Sequence, residues 1–319
     1  MKNWKALIIG SVAVSISAML WGLDGVVLTP RLHNLEIGYV VFMLHLLPFV
    51  LMQFFLFNRY KIIRKINGSD FSAFFLVALF GGAVGTMAIV KALFLVNFQE
   101  LSVVVLLQKL QPVFAILLAA LILGERVKGN FFLWATVAII ASYFLTFGWE
   151  LPHVSQNENS ALAAVYAMLA AFSFAMATVM SKKVMYKYDF KTATFIRYGL
   201  TALIMLPYVL ISGHVNQLAV TTQENWLIFL IIGITTGSGA IFLYYFGLQR
   251  IKAMIATICE LFFPLSAILF DYIFNDSKLT IVQWISAAAL ITAVIGINIS
   301  QKKRLKKHSV KETGNQAIN

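Results

Sequence analysis

Ten long apolar stretches, separated by short polar connections, follow one another along the chain. Crossing a hydrocarbon core of about 30 Å takes roughly 20 helical residues. Lipid offers backbone polar groups no partner, and the stretches lack the alternation that a barrel strand needs, so we expect helices. The predicted spans are 6–30, 37–57, 71–93, 101–123, 131–149, 161–181, 192–213, 226–249, 253–275 and 279–301.

The composition excludes a water-soluble class. Hydrophobic residues make up 60% of the chain and charged residues 12%, against roughly 45–50% and about 25% in an average soluble domain. The predicted fold class is therefore all-α integral membrane, with ten transmembrane helices. The net charge of +12 raises the question of nucleic acid, but the basic residues lie in short connections and in the tail KKRLKKHSVK. Such positions are typical of contacts with anionic headgroups.

The basic residues also predict an orientation. Of the 25 Lys and Arg residues, 20 fall on one face of the predicted topology, and that face includes both termini. The opposite face carries only Arg31 and Lys278. Because Lys and Arg in short loops concentrate in the cytoplasm, we expect a multi-pass protein of the cell (inner) membrane with both termini cytoplasmic.

The two halves of the chain resemble each other at a fixed spacing. Gly81 and Gly85 correspond to Gly233 and Gly237, and PVFAIL at 112–117 corresponds to PLSAIL at 264–269, which is a shift of 152 residues in each case. This shift covers five helices, so matching helices cross the membrane in opposite directions. The chain is thus predicted to contain two inverted five-helix repeats, 6–149 and 161–301, an arrangement common in secondary transporters. A basic polar tail, 302–319, follows and is expected to lack fixed structure.

The segment LLQKLQPVFAILLAALILGERV, with a proline inside the fourth predicted helix and a Gly-Glu pair at its end, resembles the EamA family of the drug/metabolite transporter superfamily. ICELFFPLSAIL resembles the second copy, although FNDSKLT there replaces the Gly-Glu pair. The resemblance covers about residues 10–300 and includes Trp21-Gly22. It implies a ten-helix fold of two five-helix repeats, which moves amino acids, their derivatives, nucleosides, vitamins or similar metabolites, commonly outward.

Charged residues inside the predicted spans are candidates for function. Each costs roughly 2.5–3.5 kcal/mol at a helix centre on insertion scales, so we expect them to face the bundle interior or water. Lys109, Arg197 and Glu260 lie deepest. The other three, which lie near span ends, are either interfacial or functional: Asp24, Lys91 and Asp271.

Helix spacing predicts a polar face on the ninth span. Glu260, Pro264, Ala267 and Asp271 recur at intervals of four, three and four residues, and this stripe is expected to line a cavity. In the fourth span the matching positions are uncharged and run Gln108, Pro112, Ala115 and Ala119, with Gln111 beside them. Glu260 is predicted to bind an ammonium group of the substrate, or alternatively to form a structural salt bridge with Arg197 or Lys109.

Other candidate binding residues are aromatic or titratable. His45 and Arg197 are also 152 residues apart. Arg197 suits a carboxylate or phosphate, and His45 is either a proton-coupling group or a hydrogen-bonded core residue. Trp21 and Tyr244 are candidates for stacking on a flat or cationic substrate. The paired GxxxG patterns indicate close helix packing, with flexibility as the alternative.

The predicted function is secondary-active export of a small metabolite, such as an amino acid or its derivative, by alternating access between the repeats. The alternative is import or exchange of a vitamin, nucleoside or related metabolite, and a remote alternative is an intramembrane enzyme or receptor. Glu260 and His45 are the proton-coupling candidates. HExxH and nucleotide-binding motifs are absent from the sequence, so no cofactor, metal or enzymatic activity is predicted. The expected partners are a small-molecule substrate and the lipid bilayer, without nucleic acid, and a homodimer is left open.

Overall fold

The computed structural model describes residues 2–96, 101–127, 130–151, 158–274 and 279–316. Within these ranges ten helices are long and apolar enough to cross a membrane, and no strand occurs. The prediction of an all-α, ten-helix membrane fold is confirmed. Lys128 and Lys278 of the charge count, and most of FNDSKLT, lie outside the described residues.

The ten spans are numbered α1 to α10 in chain order. Five contain irregular turns or breaks: α1 continues into a π-helical turn and a 3-10 turn, α3 and α8 contain a π-helical turn, and α4 and α9 are each broken in two. Their bounds are α1 Lys2–Leu23 with Asp24–Leu28 and Thr29–Leu32, α2 Ile37–Leu56, α3 Gly68–Ala78 with Leu79–Val84 and Gly85–Leu95, α4 Leu101–Gln108 and Gln111–Leu123, α5 Asn130–Phe147, α6 Glu158–Val184, α7 Phe190–Ile211, α8 Gln223–Ile232 with Gly233–Gly237 and Ser238–Leu248, α9 Ala253–Cys259 and Phe262–Phe274, and α10 Ile281–Gln316.

The breaks in α4 and α9 correct the prediction of two continuous helices. Each break precedes a proline, Pro112 in α4 and Pro264 in α9. Proline lacks an N–H, and its ring clashes with the carbonyl four residues earlier. Those carbonyls belong to Gln108 and Glu260, which lie where the two helices are interrupted. The same sequence cause therefore opens the backbone at matching places in both repeats.

The helix contacts follow a pseudo-twofold arrangement. α2 packs against α7, and α5 packs against α10, so each of these pairs joins equivalent helices of the two repeats. α1 packs on α8 and α9, while its counterpart α6 packs on α3 and α4. The π-helical turns of α3 and α8 also lie at equivalent positions. The two inverted five-helix repeats thus enclose the centre of the molecule between them.

The start of the first span and the end of the last span lie on the same face of the helix bundle. The Lys302 ammonium group lies 4.7 Å from the centre of the Trp4 ring, which joins the end of the last span to the start of the first. We call this the terminal face. The last helix continues to Gln316, which corrects the expectation of an unstructured tail for residues 302–316. The segment up to that point is rich in Lys and contains a single glycine and no proline, so helix propensity favours its continuation.

Candidate transport site

A cavity of about 400 Å³ lies between the repeats. It is lined by residues of α1 to α4 and α6 to α9. All eight residues predicted to bind substrate line this one cavity: Trp21, His45, Gln108, Lys109, Gln111, Arg197, Tyr244 and Glu260.

The Glu260 carboxylate is the centre of a hydrogen-bond network at the break in α9. One oxygen, Oε1, accepts a hydrogen bond from the Tyr244 hydroxyl at 2.7 Å, and Oε2 accepts one from Gln111 Nε2 at 2.6 Å. Thr178 Oγ1 lies 3.5 Å from Oε1 and 2.8 Å from the Tyr244 hydroxyl. Residues of both repeats therefore hold this carboxylate, since Gln111 lies in α4 and Tyr244 in α8.

Both deep cations are bound to groups other than Glu260. The Lys109 ammonium donates to Ser142 Oγ at 2.9 Å, and both groups are buried. Arg197 donates from Nη1 to the Tyr245 hydroxyl at 3.0 Å and from Nη2 to the Gly81 carbonyl at 2.8 Å. Neither cation forms an ion pair with Glu260 within 4.0 Å among the residues described, so the alternative of a structural salt bridge is wrong.

Aromatic rings surround the centre of the cavity. The Trp21 and Tyr244 rings lie 5.3 Å apart between centroids at an angle of 51°. The His45 ring lies 5.2 Å from that of Tyr198, and its Nδ1 is 2.8 Å from the Val41 carbonyl. A carbonyl can only accept, so Nδ1 carries the proton of that hydrogen bond. This contact fits the alternative of a hydrogen-bonded core histidine.

The predicted stripe on α9 only partly faces the cavity. Glu260 and Pro264 line it, whereas Ala267 and Asp271 do not. Gly22 of α1 lies against this part of α9 and has no side chain. A Cβ at this glycine would lie 2.0 Å from Ser266 Oγ and 2.8 Å from the Ala267 backbone nitrogen. The outer part of α9 therefore packs directly on α1, and the break turns it away from the register of a continuous helix.

Several lining residues were not among the predicted binding residues, and Asp24 is the most important of them. Asp24 was left as either interfacial or functional, and the structure places it in the cavity wall with Thr29 and Thr236. The signal that could have found it is spacing, because Trp21 and Asp24 are three residues apart and share a helix face. Lys91, in contrast, is exposed and lies 5.1 Å from the centre of the Tyr166 ring.

The cavity opens on the face opposite the terminal face. Its wall reaches the exposed residues Pro30 and His33 in the connection between α1 and α2. Towards the terminal face it ends at buried side chains, where Ser181 Oγ and the Tyr245 hydroxyl lie 2.7 Å apart. The structure is therefore open to one side of the membrane and closed to the other.

The closed side is held by a contact between the repeats. Glu125, a buried residue that follows the end of α4, accepts hydrogen bonds from the backbone N–H groups of Ala253 at 2.9 Å and Met254 at 3.1 Å. These are the first residues of α9, whose N–H groups have no partner within the helix. Beside it, Lys182 Nζ donates to the Leu248 carbonyl at 2.8 Å. Glu125, the acidic residue of the Gly-Glu pair, thus caps α9 of the other repeat.

Comparison with known proteins places this architecture among transporters. The sequence profile of the EamA-like transporter family matches residues 8–147 and again 161–299. The riboflavin transporter ImpX of Fusobacterium nucleatum is 48% identical over 91% of this chain and 97% of its own length. An uncharacterized transporter of Archaeoglobus fulgidus is 26% identical over 61% of this chain and 66% of its own length. A crystal structure with 14% identity aligns with a TM-score of 0.67 over 92% of this chain and 98% of that chain, which shows a shared fold.

Proposed function

Because this chain belongs to the EamA-like transporter family, we propose that it is a secondary transporter whose substrate is riboflavin or a closely related flavin. The observation that carries the proposal is the 48% identity to a riboflavin transporter, which extends over 97% of that protein. This favours the vitamin alternative of the sequence analysis over export of an amino acid.

The shape and lining of the cavity support a flat, neutral substrate. Riboflavin consists of a planar three-ring system with polar edges and a flexible chain of hydroxyl groups. A cavity of about 400 Å³ lies within the range of about 300–1,000 Å³ that is usual for small-molecule sites. Trp21 and Tyr244 offer faces for stacking, and Gln108 and Gln111 offer amide groups for the polar ring edges.

The hydrogen bonds of Glu260 and Arg197 favour a neutral substrate over one whose ionic groups bind to these two side chains. An amino acid that used them would bind its ammonium group to Glu260 and its carboxylate to Arg197. Glu260 is held by Tyr244 and Gln111, and Arg197 is held by Tyr245 and a backbone carbonyl. Breaking these bonds to bind substrate would lose charge-assisted hydrogen bonds worth about 1.5–3 kcal/mol each. A neutral substrate can instead use the cavity as it stands.

We propose alternating access as the mechanism of movement. In the conformation described here the cavity is open opposite the terminal face, and the cap between Glu125 and α9 closes the other side. Release on the terminal face requires that the repeats rock about the cavity and separate this cap. The opposing polarity of the repeats suits this motion, because each closes one side of the site.

Proton coupling through Glu260 is part of the proposal. The hydrogen bond between Tyr244 and Thr178 can run in either direction. When Glu260 is ionised, Tyr244 donates to it; when Glu260 is protonated, it can donate to Tyr244, which then donates to Thr178. A proton can therefore enter or leave without a broken hydrogen bond. His45, whose Nδ1 is bonded to Val41, has no comparable relay among its described contacts.

The function is tested by reconstitution into sealed vesicles. Purified protein should accumulate or exchange riboflavin, measured by flavin fluorescence inside the vesicles, and an excess of amino acids should not compete. Trp21→Ala should lower the rate at least about fivefold, since it removes a stacking face worth about 1–3 kcal/mol. Glu224→Gln, on the exposed start of α8, serves as a control. Amino acid transport without flavin transport would overturn the proposal.

The coupling is tested separately with a pH gradient. Glu260→Gln keeps a carbonyl that accepts from Tyr244 but cannot change its charge. This variant should exchange riboflavin between equal pools, while losing the acceleration that an imposed pH gradient gives the wild type. Retention of the full pH-gradient response by Glu260→Gln would remove Glu260 from the coupling, and its loss in His45→Gln instead would transfer that role to His45.

A further inference from the structure

Asp24 lies on the outer wall of the cavity, away from the Glu260 network. It follows the last residue of the regular part of α1 and begins the π-helical turn Asp24–Leu28. One of its carboxylate oxygens, Oδ1, accepts a hydrogen bond from Thr29 Oγ1 at 3.1 Å. An ionised carboxylate has about four acceptor positions on its two oxygens. This carboxylate therefore has acceptor capacity that faces the cavity.

Thr236 supplies the second observation. Its side chain is 1% exposed, lines the same cavity from the π-helical turn of α8, and lies beside Asp24. Its Oγ1 has no hydrogen bond of regular geometry among the described residues, and it interacts with the Asp24 carboxylate. A buried hydroxyl without a well-formed hydrogen bond costs about 1–3 kcal/mol, so its presence calls for an explanation. An acceptor brought by a ligand provides one.

Together the two groups match a hydroxyl ligand. A hydroxyl group donates one hydrogen bond and accepts others, so a chain of hydroxyls can donate to Asp24 and accept from Thr236. A phosphate or carboxylate would be repelled by Asp24, and an apolar group would leave both residues unsatisfied. Among the groups of the proposed flavin substrate, the chemistry of the pair therefore favours the neutral hydroxyl chain.

The position of Asp24 relative to the stacking residues fits this assignment. Trp21 and Asp24 are separated by three residues on one face of α1, which is a rise of about 4.5 Å along the helix. Both line the cavity, with Trp21 against Tyr244 and Asp24 nearer the open side. A flat ring stacked on Trp21 would direct a side chain of a few atoms towards Asp24.

We propose that Asp24 and Thr236 form a subsite for the hydroxyl chain of the substrate, and that Asp24 excludes the phosphorylated form. This inference rests on the proposed flavin specificity and assigns parts of the cavity to parts of the flavin. The ring occupies the aromatic centre, and the polyhydroxyl chain occupies the outer subsite. Asp24 is therefore the residue that distinguishes riboflavin from flavin mononucleotide, which carries a phosphate at the end of that chain.

The test compares three ligands on purified full-length protein by quenching of flavin fluorescence. Riboflavin carries the hydroxyl chain, lumiflavin has a methyl group in its place, and flavin mononucleotide adds the phosphate. Wild type should bind riboflavin at least about tenfold more tightly than lumiflavin. Asp24→Ala and Thr236→Val should each weaken riboflavin severalfold and leave lumiflavin unchanged. Asp24→Asn should bind flavin mononucleotide severalfold more tightly than wild type.

Lumiflavin binding serves as the check on folding, and Glu36→Gln, an exposed acid on the open face, should match wild type for all three ligands. Equal weakening of riboflavin and lumiflavin in both the Asp24 and the Thr236 variants would show a structural role and overturn the subsite. Unchanged riboflavin affinity in those variants would overturn it as well. Wild-type protein that binds none of the three flavins would instead overturn the proposed function, and the subsite with it.

Discussion

The broken helices α4 and α9 have the same backbone plan and different chemistry. Each is interrupted just before a proline, at equivalent positions of the two repeats. The residue four positions before the proline is Gln108 in α4 and Glu260 in α9. The break belongs to the fold that both repeats share, whereas the carboxylate at this position belongs to the second repeat alone. The shared break therefore shapes both halves of the cavity wall, and the two repeats differ in the side chain that they place there.

A second difference separates the two sides of the membrane. Glu125 of the first repeat caps the start of α9 on the closed side. The position equivalent to Glu125 in the second repeat is Ser277, a residue outside the described ranges, which has no carboxylate. The open side of the cavity is the side on which the second repeat carries serine at this matched position, with Asp276 directly before it. The comparison of the repeats can be tested by substitutions at matched positions.

The largest contrast is expected between Glu260→Ala and Gln108→Ala. Glu260→Ala removes the acceptor that holds Tyr244 and Gln111, and we expect at least about a hundredfold loss of transport, equivalent to about 2.7 kcal/mol. Gln108→Ala removes a neutral amide and should reduce transport about tenfold or less. Initial rates in vesicles measure both. Equal losses would mean that the charge in the second repeat has no special role.

The next effect concerns the cap. Glu125→Ala leaves two buried backbone N–H groups without a partner and should lower the free energy of unfolding by about 2–3 kcal/mol. Glu150→Ala removes an exposed acid and should change it by less than about 0.5 kcal/mol. Titration with a denaturing detergent in mixed micelles measures the difference. A Glu125→Ala variant as stable as Glu150→Ala would contradict the role of the cap.

The paired glycines should respond unequally although their sequence patterns match. A Cβ at Gly81 would lie 2.8 Å from Ala177 Cβ, whereas one at Gly233 would lie 3.4 Å from Pro48 Cγ, an ordinary contact. Gly81→Ala should therefore destabilise the protein by about 2 kcal/mol through overpacking, and Gly233→Ala by less than about 0.5 kcal/mol. The same detergent titration compares them. Similar losses of unfolding free energy at both sites would contradict the difference in packing around Gly81 and Gly233.

The smallest effect is expected at the N-terminal caps of α3 and α8, which lie at matching places in the two repeats. Asn67 caps α3 by accepting from the Asp70 N–H, and Thr222 caps α8 by accepting from the Asn225 N–H. Asn67→Ala and Thr222→Ala should each lower the free energy of unfolding by about 1 kcal/mol. Thermal unfolding of the two variants should shift by similar amounts. A loss confined to one variant would show that these two helix starts are not equivalent.

Much of the fold could be predicted because its signals are local or periodic. Apolar length gave the ten spans, and the 152-residue shift gave the inverted repeat. The site was harder. Proline at 112 and 264 indicated distortion, but it does not indicate that the helix axis changes enough to remove Asp271 from the cavity wall. Asp24 has the three-residue spacing to Trp21 that could have indicated it, but its position near the end of the predicted span left an interfacial role open.

Cys259 offers a chemical test of the proposed alternating conformations. It is the single cysteine of the chain, is 1% exposed, and lies in the last turn before the break in α9, next to Ser11 and Ser15 of α1. Because this thiol is buried between α1 and the first half of α9, an alkylating reagent can reach it only when these two helices separate. The rate at which Cys259 is alkylated, measured by mass spectrometry, would therefore report how often these helices separate, and it requires no engineered label.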